Sequence, residues 1–143
     1  MKILICGDRD WTDKEFIKRI IEQFNPTEII EGEARGADSI ARDIGEELGI
    51  IVHKYPANWK LYGKAAGSIR NKQMLDEGKP DLVMAFHNDL TNSKGTKNML
   101  EISRKANVRT YLFTNKVNGE TTNHKVSHFA KDIEIRVEEK DAN

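Results

Sequence analysis

Short apolar runs alternate along this chain with segments whose apolar residues recur at helical spacing. The apolar runs predict buried strands, because a strand that is covered on both faces needs no polar alternation. We place these strands at residues 3–6, 28–31, 51–54, 82–86 and 109–113.

The segments between the predicted strands have the pattern of amphipathic helices. In the first segment the apolar positions lie three or four residues apart, at Phe16, Ile17, Ile20, Ile21 and Phe24. Thr12 and Glu15 have the spacing of a capping box, so we expect them to begin this helix. Strands that alternate with helices need crossover connections, which favours a mostly parallel sheet covered on both faces. The chain is therefore predicted to be a single-domain, three-layer α/β sandwich with five or more strands.

The pattern changes after residue 113. The chain becomes polar and irregular there, which predicts a loop. Ile133, Ile135 and Val137 then alternate with charged residues, as in a half-buried edge strand, for which we consider an antiparallel orientation. Residues 1–113 would form the core, and residues 114–143 a loop, an edge strand and a solvated tail of the same domain.

Charge and cysteine content restrict the classes of function. The 143 residues include 23 basic and 23 acidic side chains, so no overall positive field favours nucleic acid, which we consider an unlikely partner. The only cysteine, Cys6, cannot form an intramolecular disulfide, as is usual in a reducing cytoplasm. No apolar run is long enough for a signal peptide or a membrane span. We expect a soluble, cytoplasmic protein.

Four predicted strand ends carry polar, glycine-containing turns. They are GDRDW at residues 7–11, GEARGAD at 32–38, NWKLYGKAAGSIRN at 58–71 and TNSKGT at 91–96. Glycine-rich turns alone are weak evidence for a ligand. However, each of these also holds a cation, namely Arg9, Arg35, Arg70 and Lys94, on the sheet edge where ligands of α/β proteins bind. This convergence predicts an anionic ligand.

Residues 58–74 concentrate groups that suit a ligand site. They include two aromatic rings, two glycines and three cations, which are Trp59, Tyr62, Gly63, Gly67, Lys64, Arg70 and Lys72. A helix over residues 69–76 with Ser68 as its N-cap would present free N–H groups to a phosphate. The alternative interpretation is a surface loop before an ordinary helix, which needs no such combination.

Several strings along residues 1–113 together resemble a known family. GDRDW, EGEARGADSIA, YPANWKLYGKAAGSIRNKQML, DLVMAF and SKGTKNML are similar to the successive motifs of small bacterial and phage proteins of the YspA-like, cpYpsA-related type. These belong to the SLOG superfamily of Rossmann-like nucleotide-binding domains, related to DprA/Smf and to the LOG phosphoribohydrolases. The resemblance implies a Rossmann-like core that binds a nucleotide or an ADP-ribose-like ligand.

The resemblance implies that three segments hold this ligand: the turn of residues 35–38, residues 63–71 and the helix start at residues 94–96. Together with the first turn and the two aromatic residues, the predicted ligand-binding residues are Gly7, Arg9, Trp11, Arg35, Gly36, Ala37, Asp38, Trp59, Tyr62, Gly63, Lys64, Gly67, Arg70, Asn71, Lys94, Gly95 and Thr96.

The chain also departs from the LOG pattern. Arg70, Asn71 and Met74 match the R-K-x-x-M pattern in part, and Gly95 and Thr96 match the end of the PGGxGT turn. The two glycines of that turn are replaced by Asn92 and Ser93, and the acidic residue that belongs to LOG hydrolysis is Asn98. The glycine usual before ARGAD is Glu33. These departures count against LOG-type glycosidic cleavage.

Catalytic residues stay open, with Asp38 and Arg70 as candidates. Glycosidic cleavage needs a carboxylate, and Asp38 is placed best, although an N-cap role is the alternative. Other carboxylates to consider are Glu33, Asp10 and Asp89. We place His87 near the pocket and interpret His53 as a core histidine. No metal or cofactor is expected, since no histidine or cysteine cluster has ligand spacing and His124 and His128 lie in a polar loop.

Two classes of function follow. The first is a binding protein that captures a nucleotide-derived small molecule to sense or sequester it, as would suit a phage protein that depletes a host signal nucleotide. The second is a hydrolase of nucleotides or nucleoside monophosphates, so whether the chain is an enzyme is left open. Single-stranded DNA binding, by analogy with DprA, is a weaker alternative. By analogy with SLOG relatives we also expect a homo-oligomer.

Overall fold

The computed structural model describes residues 1–115 and 133–137. Within them one six-stranded sheet has the order β3-β2-β1-β4-β5-β6, and every neighbouring pair is parallel. The strands are β1 (Lys2–Gly7), β2 (Glu28–Glu31), β3 (Ile51–Lys54), β4 (Leu82–Phe86), β5 (Arg109–Thr114) and β6 (Ile133–Val137). The predicted α/β class with a parallel sheet is confirmed.

Five α-helices connect the strands within the described residues. They are α1 (Lys14–Phe24), α2 (Ala37–Glu47), α3 (Trp59–Tyr62), α4 (Ala66–Gly78) and α5 (Lys94–Lys105). Short 3₁₀ turns at Gly63–Ala65 and Leu90–Asn92 precede α4 and α5. None of the described helices is both long and apolar enough to span a bilayer.

The core is divided into two apolar layers by the sheet. One layer packs α1 and α2 against the sheet and contains a cluster of aromatic rings around Phe16, Phe86 and Phe113. The other packs α4 and α5 against the opposite face through residues such as Met74 and Leu100. The alternation of side chains along β1 explains this division, since Ile3 and Ile5 face one layer and Leu4 faces the other.

The edge strand of residues 133–137 is present but parallel, so the antiparallel orientation is wrong. Thr110 of β5 pairs with Ile133, and Thr114 pairs with Val137. In the sequence 18 residues, 115–132, separate the two strands, and a parallel pair needs a connection of a dozen or more.

The starts of α1 and α4 differ from the predictions, and α5 has a side-chain cap that the sequence analysis did not assign. Asp13, rather than the Thr12 and Glu15 pair, caps α1, and its Oδ1 accepts from the Phe16 N–H at 3.2 Å. The helix predicted over residues 69–76 begins earlier, at Ala66, so Ser68 is not its cap. Ser93 caps α5, with its Oγ accepting from the Thr96 N–H at 3.2 Å.

Candidate functional site

The main cavity lies at the carboxyl ends of β1 and β4. The strand order reverses direction between these two strands, because the chain proceeds from β1 toward β3 on one side and from β4 toward β6 on the other. Such a switch point leaves a crevice, since the connecting loops diverge to opposite sides of the sheet. The cavity here has a volume of about 600 Å³, within the range of small-molecule sites.

The turns after β1 and β2 touch directly at one side of the main cavity. The Ala37 N–H donates to the Asp8 carbonyl at 3.1 Å. Gly36 has a φ of +79°, and a Cβ at this position would lie 2.2 Å from the Asp8 oxygen. Both the left-handed backbone and the close approach therefore require glycine at this position.

Asp38 closes the turn of residues 32–38 from inside α2. Its Oδ2 accepts from the N–H groups of Gly32 at 3.2 Å and Ala34 at 3.4 Å. The side chain is 5% exposed. Burial raises the pKa of Asp38 to about 6, although the nearby Arg70 guanidinium acts in the opposite direction. Asp38 is not an N-cap, because α2 begins at Ala37 after Gly36.

Arg70 connects the ends of β2 and β3 to α4. Its Nη1 donates to the carbonyl oxygens of Gly32 and, at 3.5 Å, of Tyr55. Its Nε donates to Asn71 Oδ1 at 3.1 Å. The side chain is 9% exposed, and burial lowers its pKa. Arg70 lines the main cavity, but these contacts commit part of its guanidinium to the fold.

Asn71 extends the same network to α5. Its Nδ2 donates to the Gly95 carbonyl at 3.2 Å and to Asn98 Oδ1 at 3.1 Å. Asn98, which stands where LOG enzymes have an acidic residue, therefore has a structural partner in Asn71. The network fixes the first turn of α5 relative to α4, on the wall of the main cavity.

The first turns of α4 and α5 supply the positive side of the main cavity. Gly67 and Ser68 line it from α4, Lys64 lines it from the turn before α4, and the wall from α5 consists of Ser93, Lys94, Gly95 and Thr96. The first N–H groups of a helix have no partner within the helix, and the helix dipole is positive there. The start of α5 can therefore hold an anion. At α4, by contrast, the Gly63–Ala65 turn runs directly into the helix, and the Ala66 N–H donates to the Gly63 carbonyl.

Trp59 forms an exposed aromatic wall. Its side chain is 49% exposed, yet the Arg9 guanidinium carbon lies 5.5 Å from its ring centroid. On α4, a Cβ at Gly67 would lie 3.3 Å from Trp59 Cη2, so this glycine lets the indole approach the helix backbone. A large apolar side chain held in this way is available for stacking.

The main cavity brings together most, but not all, of the predicted site residues. Twelve of them line it: Gly7, Arg9, Arg35, Asp38, Trp59, Lys64, Gly67, Arg70, Asn71, Lys94, Gly95 and Thr96. Five do not: Trp11, Gly36, Ala37, Tyr62 and Gly63.

These five residues have other surroundings. Trp11 lies in the aromatic cluster, and its Nε1 donates to the Asp13 carbonyl at 3.0 Å. Gly36 and Ala37 form the contact between the two turns. Tyr62, which is 48% exposed, and Gly63 lie outside the cavity lining.

The sequence analysis missed several lining residues. Cys6 and Met74 reach the main cavity from the core, and the others are Asp8, Ala34, Asn92, Ser93 and Asn98. The spacing of Ser93 and Thr96 could have revealed the cap of α5. Burial raises the pKa of the Cys6 thiol, so it is protonated and a poor nucleophile at neutral pH.

Histidines and the other candidate carboxylates are placed as follows. His87 lines the main cavity as predicted, its Nδ1 accepts from the Asp89 N–H at 2.9 Å, and burial lowers its pKa. Asp10 also lines the cavity. His53 is not a core residue, because it lies on edge strand β3, with its Nε2 2.8 Å from Glu28 Oε1.

Among residues 1–115 and 133–137, no group of three or more histidine, cysteine or acidic side chains could hold a metal ion. His124 and His128 lie outside the described residues.

Comparisons with known proteins identify the family. A model of the YspA, cpYpsA-related SLOG family matches residues 1–62. Gene 61 protein of Mycobacterium phage D29 is 30% identical over 127 residues, which cover 80% of this chain and 98% of that protein. The chain belongs to the cpYpsA-related SLOG family. The predicted family resemblance is thereby confirmed.

Solved structures support the same fold. DprA from Streptococcus pneumoniae has a TM-score of 0.73 at 14% identity, covering 94% of this chain and 58% of that one. DprA from Helicobacter pylori has a TM-score of 0.65 at 16% identity, covering 94% and 74%, and its structure concerns a single-stranded DNA binding mode. This SLOG chain therefore spans little more than half the length of the pneumococcal protein.

Proposed function

We propose that this SLOG protein binds a nucleotide-derived small molecule, such as a nucleotide or an ADP-ribose-like compound, in the main cavity. The observation that carries this proposal is the meeting of the α5 start and two lysines, Lys64 and Lys94, in one cavity at the switch point of the sheet. Phosphate suits this arrangement, because backbone N–H donors and the helix dipole add to the lysine charges.

The two lysines are more available to a phosphate than the arginines. Neither Lys64 nor Lys94 is in an ion pair within the described residues. By contrast, Arg35 pairs with Asp10 at 3.2 Å. The Arg70 guanidinium donates to backbone carbonyls. We therefore assign the main phosphate contacts to the lysines, with Arg70 as a partly committed contributor.

Binding without turnover agrees with the contacts of Asn98, which takes the place of an acidic residue and accepts a hydrogen bond from Asn71. Because one relative is a phage protein, we include sequestration of a host nucleotide as an alternative to sensing one.

Hydrolysis is the second candidate function, and Asp38 is the observation that favours it. Its carboxylate lines the main cavity, and its pKa of about 6 is near the value that suits a general base at neutral pH. The same carboxylate also closes the turn of residues 32–38, which explains its position without catalysis.

The likeness to DprA weakens the prediction that nucleic acid is an unlikely partner. The Helicobacter protein binds single-stranded DNA. A short oligonucleotide therefore belongs among the ligands to test, and binding of oligonucleotides but not of mononucleotides would replace our proposal.

The experiment is a titration of a nucleotide panel by calorimetry, followed by chromatography of the recovered ligand. Intact ligand supports binding, whereas base plus sugar phosphate supports hydrolysis. Lys94→Ala should weaken binding about three- to tenfold, as expected for one exposed charge at a helix start.

Lys105→Ala is the matched control, because it removes the same charge from the opposite end of α5. It should leave binding unchanged. Equal affinities of wild type and Lys94→Ala for every nucleotide would contradict the assignment of the phosphate to α5.

A further inference from the structure

A smaller compartment adjoins the main cavity. It has a volume of about 350 Å³ and shares five lining residues with the main cavity, namely Arg9, Ala34, Arg35, Trp59 and Arg70. We call it the side compartment. Its own lining is Gly32, Glu33 and the Pro56–Ala57 segment after β3. Trp59 thus lines both spaces.

The side compartment differs from the main cavity in that no lysine lines it and that Glu33 does. Its cations have partners: Arg35 pairs with Asp10, Arg70 donates to backbone carbonyls, and Arg9 lies over Trp59. Glu33 adds a carboxylate, which would repel a phosphate. A neutral group with hydrogen-bond donors and a flat apolar face suits this space better.

The Glu33 carboxylate is held in a fixed position. Arg42 Nη1 lies 3.3 Å from both of its oxygens, and the Glu33 N–H donates to Glu31 Oε1 at 2.6 Å. The Glu31 side chain and Arg42 keep the pKa of Glu33 below its ordinary value, so it is ionised at neutral pH.

Glu33 also has a strained backbone. Its φ is +58°, the left-handed region that costs a residue with a Cβ about 1 kcal/mol or more relative to glycine. Glu33 lines the side compartment together with Trp59, and its side chain is 25% exposed, so its oxygens can accept a further hydrogen bond beside the ring.

We propose that the side compartment is the nucleobase subsite, in which the base stacks on Trp59 and an exocyclic amino group donates a hydrogen bond to Glu33. This inference rests on the proposed function, with the phosphate in the main cavity between Lys64 and Lys94. It predicts tighter binding of bases that carry an amino group, namely adenine, guanine or cytosine, than of hypoxanthine and uracil.

Calorimetry with matched probes tests the inference. The probes are the AMP and IMP pair, the CMP and UMP pair, and ribose 5-phosphate, which has no base. Wild type should prefer the amino-bearing member of at least one pair by about tenfold, as expected for one hydrogen bond to a charged group. Glu33→Gln should reduce this preference to about threefold or less, while its affinity for ribose 5-phosphate stays unchanged.

Trp59→Ala provides the second arm. It should weaken binding of the preferred nucleotide about five- to hundredfold through lost stacking and leave ribose 5-phosphate binding unchanged. Tyr62→Ala is its matched control, because Tyr62 is a similarly exposed aromatic residue of α3 outside both spaces. It should bind as wild type does.

The outcomes separate this inference from the function on which it rests. If ribose 5-phosphate binds as tightly as every nucleotide, or if a base preference persists undiminished in Glu33→Gln, the nucleobase subsite is wrong and the phosphate site stands. If neither these probes nor GMP nor any other member of the nucleotide panel binds wild type, the proposed function fails and the subsite fails with it.

Discussion

Glu31→Gln should stabilise the protein at neutral and alkaline pH. Glu31 is fully buried at the end of β2, and its Oε2 has no hydrogen-bond partner among the described residues. Burial, with the Glu33 side chain beside it, raises the pKa of Glu31 from 4.5 to about 9. The folded state therefore holds a proton that the unfolded chain releases above pH 4.5.

The sign and size of the effect follow from this difference in pKa. The contribution of this bound proton to the free energy of unfolding is fully present below pH 4.5 and is lost as the pH rises through 9. Each pH unit between these values lowers the free energy of unfolding by about 1.4 kcal/mol. Wild type should thus lose about 2 to 4 kcal/mol between pH 5 and pH 8 through Glu31, allowing for relaxation of the buried site. A glutamine can still accept from the Glu33 N–H but has no proton to lose.

Urea unfolding followed by circular dichroism at pH 5, 6, 7 and 8 measures the difference. The two proteins should be similar at pH 5, and the variant should be more stable by about 2 to 4 kcal/mol at pH 8. Asp38, whose pKa is also raised, is present in both proteins, so the comparison isolates the effect of the Glu31 carboxyl and its coupling to Asp38. Parallel pH profiles for wild type and Glu31→Gln would refute the reasoning.

Glu28→Gln is the control within the same strand. A hydrogen bond from His53 lowers the pKa of Glu28, so its contribution is present above its ordinary pKa and is lost as the pH falls. This variant should therefore be slightly less stable than wild type at pH 7, opposite in sign to Glu31→Gln.

Three further predictions concern the site and the assembly. Arg70→Ala should weaken nucleotide binding, which calorimetry measures. It should also lower the free energy of unfolding by about 1 to 3 kcal/mol, measured by urea unfolding, because it leaves the Gly32 and Tyr55 carbonyls without a donor. Arg70→Lys should recover only part of both losses, as an ammonium has no planar fork. Sedimentation at micromolar concentrations should show a homo-oligomer, and a single species of 16.3 kDa throughout would contradict this.

The strands and the sheet edge that holds the main cavity could be predicted because each rests on a local signal. A strand buried on both faces is a continuous apolar run, as in residues 82–86, where all five residues are buried in the structure. Parallel strands place all their carboxyl ends at one sheet edge, so polar turns that follow strands must lie near one another.

Helix starts were harder to predict because several residues in each turn can act as caps. Thr12, Asp13 and Glu15 all lie near the start of α1, and only the geometry of the turn selects the Asp13 carboxylate. In α4 the 3₁₀ turn Gly63–Ala65 runs into the helix, and α4 has no side-chain cap, so no cap signal marks its start.

The role of Arg70 could not be predicted because it depends on burial. An arginine beside a glycine turn suggests an anion site from sequence alone. In the structure, a Cβ at Gly32 would lie 2.5 Å from Arg70 Nη1, so the guanidinium packs directly on the end of β2. Its donors bind carbonyl oxygens that no other side chain of the described residues reaches.

Hydrogen bonding also distinguishes two of the predicted ligand-binding segments, the turn of residues 32–38 and the start of α5, in their capacity to hold a phosphate. In the turn of residues 32–38, the N–H groups of Gly32 and Ala34 donate to Asp38, and those of Glu33 and Ala37 donate to Glu31 and Asp8. A phosphate would have to displace these oxygens and would meet the Asp38 carboxylate. At α5, by contrast, Ser93 occupies only the Thr96 N–H, which leaves the earlier N–H groups of the first turn facing the main cavity. We therefore propose the start of α5 as the phosphate site, with the turn of residues 32–38 contributing shape and the Glu33 carboxylate rather than anion binding.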